Sequence, residues 1–116
     1  MKSQPDPESF LPLGNLSFRV LLALSEHPAH GYKIGKEVEA RSEGRLSPTT
    51  GTLYQVLRRL TGEGLIEPAP APDESTDSRR QYFRLTTLGR EVARSEAHRL
   101  NELVLEAQAR QLFGRA

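Results

Sequence analysis

The sequence predicts a mainly α-helical fold with a small β-hairpin and a long C-terminal helix. Three amphipathic segments come first, followed by two short apolar runs around a polar loop, and then by one long segment. Apolar residues three or four positions apart are typical of a helix that buries one side, and paired apolar runs around a polar tip indicate a hairpin. At 116 residues the chain has room for one domain with one hydrophobic core.

The composition excludes several classes of protein. The chain has no cysteine, which removes disulfides, thiolate nucleophiles and Cys-ligated zinc and fits a reducing, cytoplasmic location. No run approaches the roughly 18 apolar residues of a membrane span, and the polar, Pro-containing start MKSQPDPESF predicts no signal peptide. The net charge is only +1, so the distribution of charge must decide whether nucleic acid is a partner.

The first half of the chain predicts an arm and three helices. Residues 1–12 contain three prolines and no periodicity, which predicts a disordered arm. The segment LSFRVLLALSEH predicts a largely buried first helix that ends at Pro28, because its leucines, Leu22 included, are too dense for a surface helix. A short amphipathic helix ending at Gly44 follows.

The third helix has the clearest signals. Ser47 is the predicted N-cap and Pro48 the first helical residue. Leu53, Leu57 and Leu60 recur at positions i, i+4 and i+7, and glycines 62 and 64 end the helix.

The second half predicts a hairpin and the last helix. LIEP and QYFRL are two strands, and the loop between them, about residues 68–78, is long enough to form a wing. Thr86 is the predicted N-cap of a helix that runs nearly to Leu112, with a gap in its apolar stripe near Glu96. The order of elements predicts a winged helix-turn-helix DNA-binding domain over residues 13–85 and a dimerisation helix over residues 86–113.

The residues resemble a known family. LSFRVLLALSEHPAHGYKIGKEVE, LSPTTGTLYQVLRRLTGEGLIE and RRQYFRLTTLGRE are similar to the PadR family of transcriptional regulators, from about Leu13 to Arg110. Three motifs carry the resemblance: His30-Gly31-Tyr32, Gly51-Thr52-Leu53-Tyr54, and Tyr82 through Gly89. The single short C-terminal helix is similar to the smaller branch of that family. The resemblance implies repression that is relieved by a small aromatic molecule bound near a dimer interface.

The third helix is the predicted recognition helix. At 100° per residue its apolar sector faces away from Gly51, Tyr54, Gln55 and Arg58, with Arg59 at the edge. Gln and Arg side chains pair with adenine and guanine edges in the major groove, and helix N-termini hold phosphates. The predicted phosphate anchors at that N-terminus are Ser47, Thr49 and Thr50. A merely solvated helix face is the alternative for each position.

Further predicted DNA contacts lie outside the third helix. On the second helix they are Lys33 and Lys36, and the resemblance adds Tyr32; ordinary surface exposure or packing is the alternative for each. In the wing they are Arg79 and Arg80, with Arg84 given less weight. The wing also carries three acids, which would neutralise its arginines locally: Asp73, Glu74 and Asp77.

The last helix is too long to bury its stripe on so small a domain, which predicts a homodimer and a near-palindromic DNA operator. Folding back onto its own domain is the alternative. The predicted interface or effector residues are Phe18, Leu22, Leu100, Leu103, Val104 and Ala107. The alternative is that they are simply core, which is the commoner role of such residues.

No enzyme chemistry, cofactor or metal is predicted. His27 and His30 straddle a proline at a helix boundary and have no obvious third ligand, so His30 is predicted to cap the second helix, and His98 to be exposed. No catalytic triad, phosphate loop or carboxylate pair is visible. The predicted function is a sequence-specific DNA-binding transcriptional regulator, and the resemblance implies that it is a repressor. The alternative is a protein-interaction module of the same fold.

Overall fold

The computed structural model describes residues 5–72 and 79–113, and within those ranges it contains four α-helices and three short strands. In chain order the elements are α1 (Asn15–Ala23), β1 (Ala29–His30), α2 (Gly31–Arg41), α3 (Thr50–Gly62), β2 (Ile66–Ala69), β3 (Tyr82–Leu85) and α4 (Thr87–Ala109). A 3-10 turn, Pro7–Phe10, precedes them. The predicted fold class, mainly α-helical with a winged helix-turn-helix arrangement, is confirmed.

The apolar stripes of α2 and α3 meet in one hydrophobic core. Leu53, Leu57 and Leu60 of α3 are each at most 5% exposed, and Ile34 and Val38 of α2 are equally buried. These are the positions that the helical period selects, so the polar sides of both helices face outward. The core therefore orients the two helices of the helix-turn-helix.

The first helix is shorter and less buried than predicted. Val20 and Leu21 are fully buried, but Leu22 is 49% exposed, so less of the helix is buried than its dense apolar residues predicted. On a helix of nine residues, only the side that faces the other helices reaches the core. The helix also ends at Ala23 and not at Pro28, because the chain has to turn into β1.

The predicted hairpin is part of a three-stranded antiparallel sheet in the order β1-β3-β2. β2 and β3 pair from Ile66 opposite Leu85 to Ala69 opposite Tyr82. β1 adds two residues to the other side of β3, with His30 opposite Tyr82. β1 was not predicted, because a strand of two residues carries no alternating pattern. We call residues 70–81 the wing; its residues 73–78 lie outside the described ranges.

The long helix α4 packs on the domain only along its first half. Thr86 is its N-cap, as predicted: the Thr86 hydroxyl oxygen accepts the N–H of Gly89 at 2.9 Å. Leu88 and Val92 are buried, whereas nearly every side chain from residue 97 to 109 is exposed. The C-terminal half of the stripe therefore does not fold back onto its own domain. Within the described residues, no helix is both long enough and apolar enough to cross a membrane.

The N-terminal segment is ordered from residue 5, which corrects the predicted disordered arm over residues 5–12. Asp6 caps the 3-10 turn by accepting the N–H of Glu8 at 3.0 Å. The turn packs against α4, and Phe10 packs against the core. Residues 1–4 of the predicted arm lie outside the described residues.

Glu96 fixes this segment to α4. Its carboxylate, 1% exposed, accepts the N–H of Leu13 at 2.9 Å and pairs with Arg99 one turn further along the helix. The hydrogen bond from Arg99 lowers the pKa of the Glu96 carboxyl below its ordinary value, against the opposing effect of burial. The gap in the apolar stripe is thus a buried, paired carboxylate. A partner 83 positions away explains why local sequence predicted disorder for the arm.

Candidate nucleic-acid interface

Helices α2 and α3 cross at close range because two glycines of α2 leave room for side chains of α3. A methyl group at Gly31 would lie 2.8 Å from the hydroxyl oxygen of Tyr54, and one at Gly35 would lie 3.2 Å from Cδ2 of Leu53. Both distances are shorter than comfortable van der Waals contact. The crossing fixes the rotation of α3, and with it the set of side chains that face outward.

The outward side of α3 carries the predicted recognition residues. Gln55 and Arg58 are exposed, and Tyr54 is 44% exposed with its ring lying over α2. Gly51 is exposed, and nothing lies within 4 Å of the position that a Cβ would take there. The face thus combines an amide, a guanidinium and open backbone, which are the groups that read and approach a major groove.

Arg59 turns away from that face. Its guanidinium Nη2 donates a hydrogen bond to the hydroxyl of Ser17 on α1. Arg59 therefore connects α3 to α1. The sequence placed Arg59 at the edge of the recognition face but did not predict this contact.

The N-terminus of α3 corrects one prediction. Thr49 is the N-cap: its Oγ1 accepts the N–H of Thr52 at 3.1 Å. Ser47, the predicted N-cap, instead donates its hydroxyl proton to Oε2 of Glu39 on α2 at 2.7 Å, so that prediction is wrong. Ser and Thr are both good N-caps, and the contact with α2 decides between them. Pro48 accordingly precedes the cap and is not the first helical residue.

The predicted contacts on α2 are exposed and lie within its first six residues. Tyr32 is 65% exposed, and Nζ of Lys36 lies 5.5 Å from its ring centroid, within cation–π range. Lys33 is exposed. Lys36 also lies 3.9 Å from Glu39, a carboxylate that no sequence pattern singled out. Glu39 therefore holds both Lys36 and the Ser47 hydroxyl in the free protein.

A cavity of 430 Å³ opens between α2 and α3 on this side. Among the residues that line it are five predicted DNA contacts: Tyr32, Lys36, Ser47, Thr50 and Tyr54. The fold therefore brings together residues from two helices and the turn between them.

His30 joins the wing to α2. Its Nδ1 accepts the N–H of Lys33 at 3.2 Å, which makes it the N-cap of α2, as predicted. Its Nε2 lies 2.8 Å from Nη1 of Arg80, and the ring of Tyr82 meets it edge-on with centroids 5.1 Å apart. Burial, and then the charges of Arg80 and Lys33, lower the pKa of His30 below its ordinary value. The lowered pKa favours the neutral form of the ring.

The other arginines of the hairpin differ in their surroundings. Arg79 is exposed, next to Arg80. Arg84 pairs with Glu67, its neighbour across the sheet, at 2.9 Å. The three acids of the wing lie outside the described residues: Asp73, Glu74 and Asp77.

The predicted interface or effector residues lie on two helices. On α4, Leu103 is 51% exposed, with Leu100 and Val104 also exposed and Ala107 partly buried. On α1, Phe18 is partly buried, while the exposed Leu22 lines a cavity of 310 Å³ formed by α1, α2 and the segment that follows α1. His98 is exposed, as predicted. Within the described ranges, no cluster of three or more His, Asp or Glu side chains could hold a metal ion.

Three packed helices, a hairpin and an outward-facing third helix define a winged helix-turn-helix protein. Residues 20–95 match the transcriptional regulator PadR-like family. The chain belongs to that family, and it is a transcriptional regulator and not an enzyme. A 37.1 kDa protein in transposon TN4556 of Streptomyces fradiae is 39% identical over 84 residues, which make up 72% of this chain but only 22% of that protein.

Solved structures have the same fold. A PadR family transcription regulator from Clostridium difficile superposes with a TM-score of 0.71 over 87% of this chain and 100% of its own, at 23% identity. Bacillus subtilis PadR in complex with operator DNA superposes with a TM-score of 0.60 over 72% of this chain and 47% of its own, at 21% identity.

Proposed function

We propose that this regulator binds a near-palindromic operator in double-stranded DNA as a homodimer, and that it represses transcription until a small aromatic molecule releases it. The observation that carries the DNA-binding part is the outward face of α3. Gln55 and Arg58 are exposed on a helix whose opposite side is fixed in the core by Leu53, Leu57 and Leu60.

In this proposal α3 enters the major groove. Arg58 pairs with a guanine and Gln55 with an adenine, each through two parallel hydrogen bonds worth about 1–3 kcal/mol of discrimination. The open backbone at Gly51 lets the helix approach the groove closely, and Tyr54 flanks the contact from its position over α2.

Phosphate contacts hold α3 in register. The donors on α2 are Lys33, Lys36 and the Tyr32 hydroxyl, and Arg79 and Arg80 reach the backbone or minor groove from the wing. At the start of α3, Thr50 and the free backbone N–H groups are the most direct anchors. The hydroxyls of Thr49 and Ser47 already serve the cap and Glu39, so a phosphate has to displace those partners.

The second subunit docks through α4. Leu100, Leu103 and Val104, which are exposed, and Ala107, which is partly buried, form a stripe. It continues along the helix from the face that buries Leu88 and Val92 on the domain. Packing two such stripes together removes them from water and relates the two domains by a twofold axis. The two copies of α3 then reach successive major grooves, about 34 Å or a multiple of it apart.

The effector site is proposed at that same interface. Phe18 and Leu22 on α1, with Leu100 and Val104 on α4, leave apolar surface uncovered in the single subunit. A second subunit would turn these surfaces into an enclosed pocket for an aromatic ring. The family resemblance supports repression and release; the repressor role and the cytoplasmic location both belong to the proposal.

Genomic selection tests the proposal. Purified protein captures fragments of the genome of its source organism at physiological salt, and the bound fragments are sequenced. A shared near-palindrome, upstream of a gene whose expression rises when the regulator is deleted, supports a specific repressor. Fragments without a common motif, and an affinity that does not fall with salt, would instead favour a protein-interaction module.

Two matched variants test the recognition face on the selected operator. Arg58→Ala should weaken binding about 10-fold or more and relax the preference at one base position per half-site. Arg41→Ala removes the same charge from α2, where Arg41 pairs with Glu37 at 3.8 Å and lines the cavity between α1 and α2. Equal effects of the two variants would contradict a recognition role for Arg58.

A further inference from the structure

We propose that His30 is a positioning residue for DNA binding: its neutral ring holds Arg80 of the wing beside the N-terminus of α2. The proposal rests on the proposed DNA-binding function and adds to it His30, for which the sequence pattern predicted only a capping role. The carrying observation is that both ring nitrogens face donors, the N–H of Lys33 at 3.2 Å from Nδ1 and Nη1 of Arg80 at 2.8 Å from Nε2. One neutral tautomer therefore caps α2, and the other accepts a hydrogen bond from Arg80.

The short strand β1 creates this arrangement. His30 lies opposite Tyr82 in the sheet, and Arg80 precedes Tyr82 by two residues. Arg80 lies in the bend that leads into β3, and both its guanidinium and the Tyr82 ring meet the His30 ring. The ring is 9% exposed and lies between two tyrosines, Tyr82 edge-on at 5.1 Å and Tyr32 stacked at 6.4 Å. Its position is therefore fixed by packing.

A neutral imidazole has one acceptor nitrogen and one N–H. The two groups that face the ring nitrogens, the backbone N–H of Lys33 and the guanidinium of Arg80, are both donors. The neutral ring can accept from one of them at a time, according to its tautomer. A protonated ring is a donor at both nitrogens and can accept from neither.

The positive charges around the ring also disfavour its protonation. From the wing it faces the Arg80 guanidinium, from α2 Lys33 and the ring of Tyr32, and from β3 the ring of Tyr82. On the α3 side, the Tyr54 hydroxyl lies against the neighbouring Gly31. A proton on His30 would add a third positive charge beside Arg80 and Lys33, so protonation expels Arg80 from its place.

The consequence concerns the geometry of the DNA-binding face. The bond to His30 uses one of the five N–H donors of the guanidinium, and a phosphate contact needs two. An arginine already held beside Lys33 loses less side-chain freedom when it meets a phosphate. His30 therefore raises DNA affinity through Arg80, without touching DNA.

His30→Asn separates this role from the capping role. Asparagine is as good an N-cap as any residue, so α2 keeps its cap, but its side chain is too short to reach Arg80. The probe is a fluorescein-labelled duplex that carries the operator recovered by selection, and affinity is measured by anisotropy. At about pH 8, and at a temperature where circular dichroism shows both proteins fully folded, His30→Asn should bind about 3- to 10-fold more weakly than the wild type.

A double-mutant cycle identifies the partner. Arg80→Gln should weaken binding by at least as much as His30→Asn, and the double variant should bind no more weakly than Arg80→Gln alone, because His30 acts through Arg80. Arg41→Gln is the control: it removes an exposed arginine of α2 that pairs with Glu37, and it should bind the duplex like the wild type. Full additivity of the two substitutions would overturn the proposal.

The pH dependence of DNA affinity distinguishes this role from a purely structural one. Wild-type affinity should fall as pH is lowered from about 8 to about 5.5, whereas the affinity of His30→Asn should not fall in that range. A histidinium that merely lay near phosphates would strengthen binding at acid pH, and a rise in wild-type affinity would overturn the proposal. Wild-type protein that does not bind the duplex at any pH refutes the proposed function itself, whereas wild-type binding matched by His30→Asn refutes only the role of His30.

Discussion

A methyl group at Gly89 would lie 1.9 Å from the carbonyl oxygen of Leu65. The first turn of α4 therefore rests directly on the backbone that leads into β2. The same carbonyl oxygen accepts the N–H of Thr86 at 3.1 Å, and the Thr86 hydroxyl donates to the carbonyl of Gly64 at 2.6 Å. These bonds hold the carbonyl in place, so neither backbone can withdraw at low cost. The path of α4 away from the domain depends on the missing side chain at position 89.

Gly89→Ala is expected to destabilise the protein by about 3 kcal/mol, because the added methyl group meets backbone and not a flexible side chain. The measurement is urea unfolding followed by circular dichroism. Gly62→Ala is the matched control: it also lies in a helix, but nothing is within 4 Å of its Cβ position, so a small gain in stability is expected. If both variants unfold at the same urea concentration, the close approach of α4 is not as described.

The apolar period predicted which side of a helix is buried, but it did not predict which residues the side chains at the boundary contact. Leu53, Leu57 and Leu60 were predicted on one side of α3 and Gln55 on the other, because both follow from the helical period alone. Arg59 lies at the boundary of the two sides, where the period decides nothing. Its partner, Ser17, is 42 positions away, so only the packing of α1 on α3 determines that contact.

Glu96→Gln should cost about 1.5 kcal/mol of stability, because the amide keeps an acceptor for the N–H of Leu13 but loses the charged hydrogen bonds with Arg99. Glu106→Gln is the control on the same helix. Its pair with Arg110 is 3.0 Å long but exposed on both sides, and exposed pairs contribute little. Equal thermal stability of Glu96→Gln and the wild type would show that the buried pair contributes nothing.

The same carboxylate should make stability depend on pH. Because the pKa of Glu96 is lowered in the folded protein, its contribution is fully present above the unfolded pKa of about 4.3 and is lost as pH falls through the folded value. The wild type should therefore lose its advantage over Glu96→Gln on acidification, as measured by urea unfolding at several pH values between about 3 and 6. A constant difference across that range would contradict the assignment.

Leu103→Glu is expected to dissociate the proposed dimer, because it places a charge in the middle of the apolar stripe of α4. Leu105→Glu is a stringent control. Leu105 is 55% exposed, slightly more than Leu103, but at 100° per residue it lies about 160° around the helix from Leu103. Light scattering after gel filtration should find a monomer for the first variant and a dimer for the second. A dimer in both cases would place the interface elsewhere.

The candidate site could be predicted where a single helix carries it and not where two elements meet. Thr86 and His30 were predicted as caps because capping is local to a few residues. The same local rule chose Ser47 over Thr49, since Glu39, which takes the Ser47 hydroxyl, belongs to another helix. The meeting of His30 with Arg80 depends on the register of β1, a strand too short to leave a pattern.

Gly51→Ala should change stability and DNA affinity in opposite directions. Nothing lies within 4 Å of the Cβ position, so alanine fits without strain and raises stability by up to about 0.5 kcal/mol through its better helix propensity. If the start of α3 enters the major groove, the same methyl group stands between the helix backbone and the DNA. Operator affinity should then fall, measured by anisotropy beside thermal unfolding of the same samples.

Gly62→Ala separates these two effects, because it lies at the other end of α3 and is equally open. It should share the gain in stability and leave operator affinity unchanged, so that a loss in Gly51→Ala alone is due to contact with DNA. Equal affinity of both variants and the wild type would mean that the N-terminal turn of α3 does not approach the bases. Recognition would then depend on Gln55 and Arg58 reaching from a helix that lies higher in the groove.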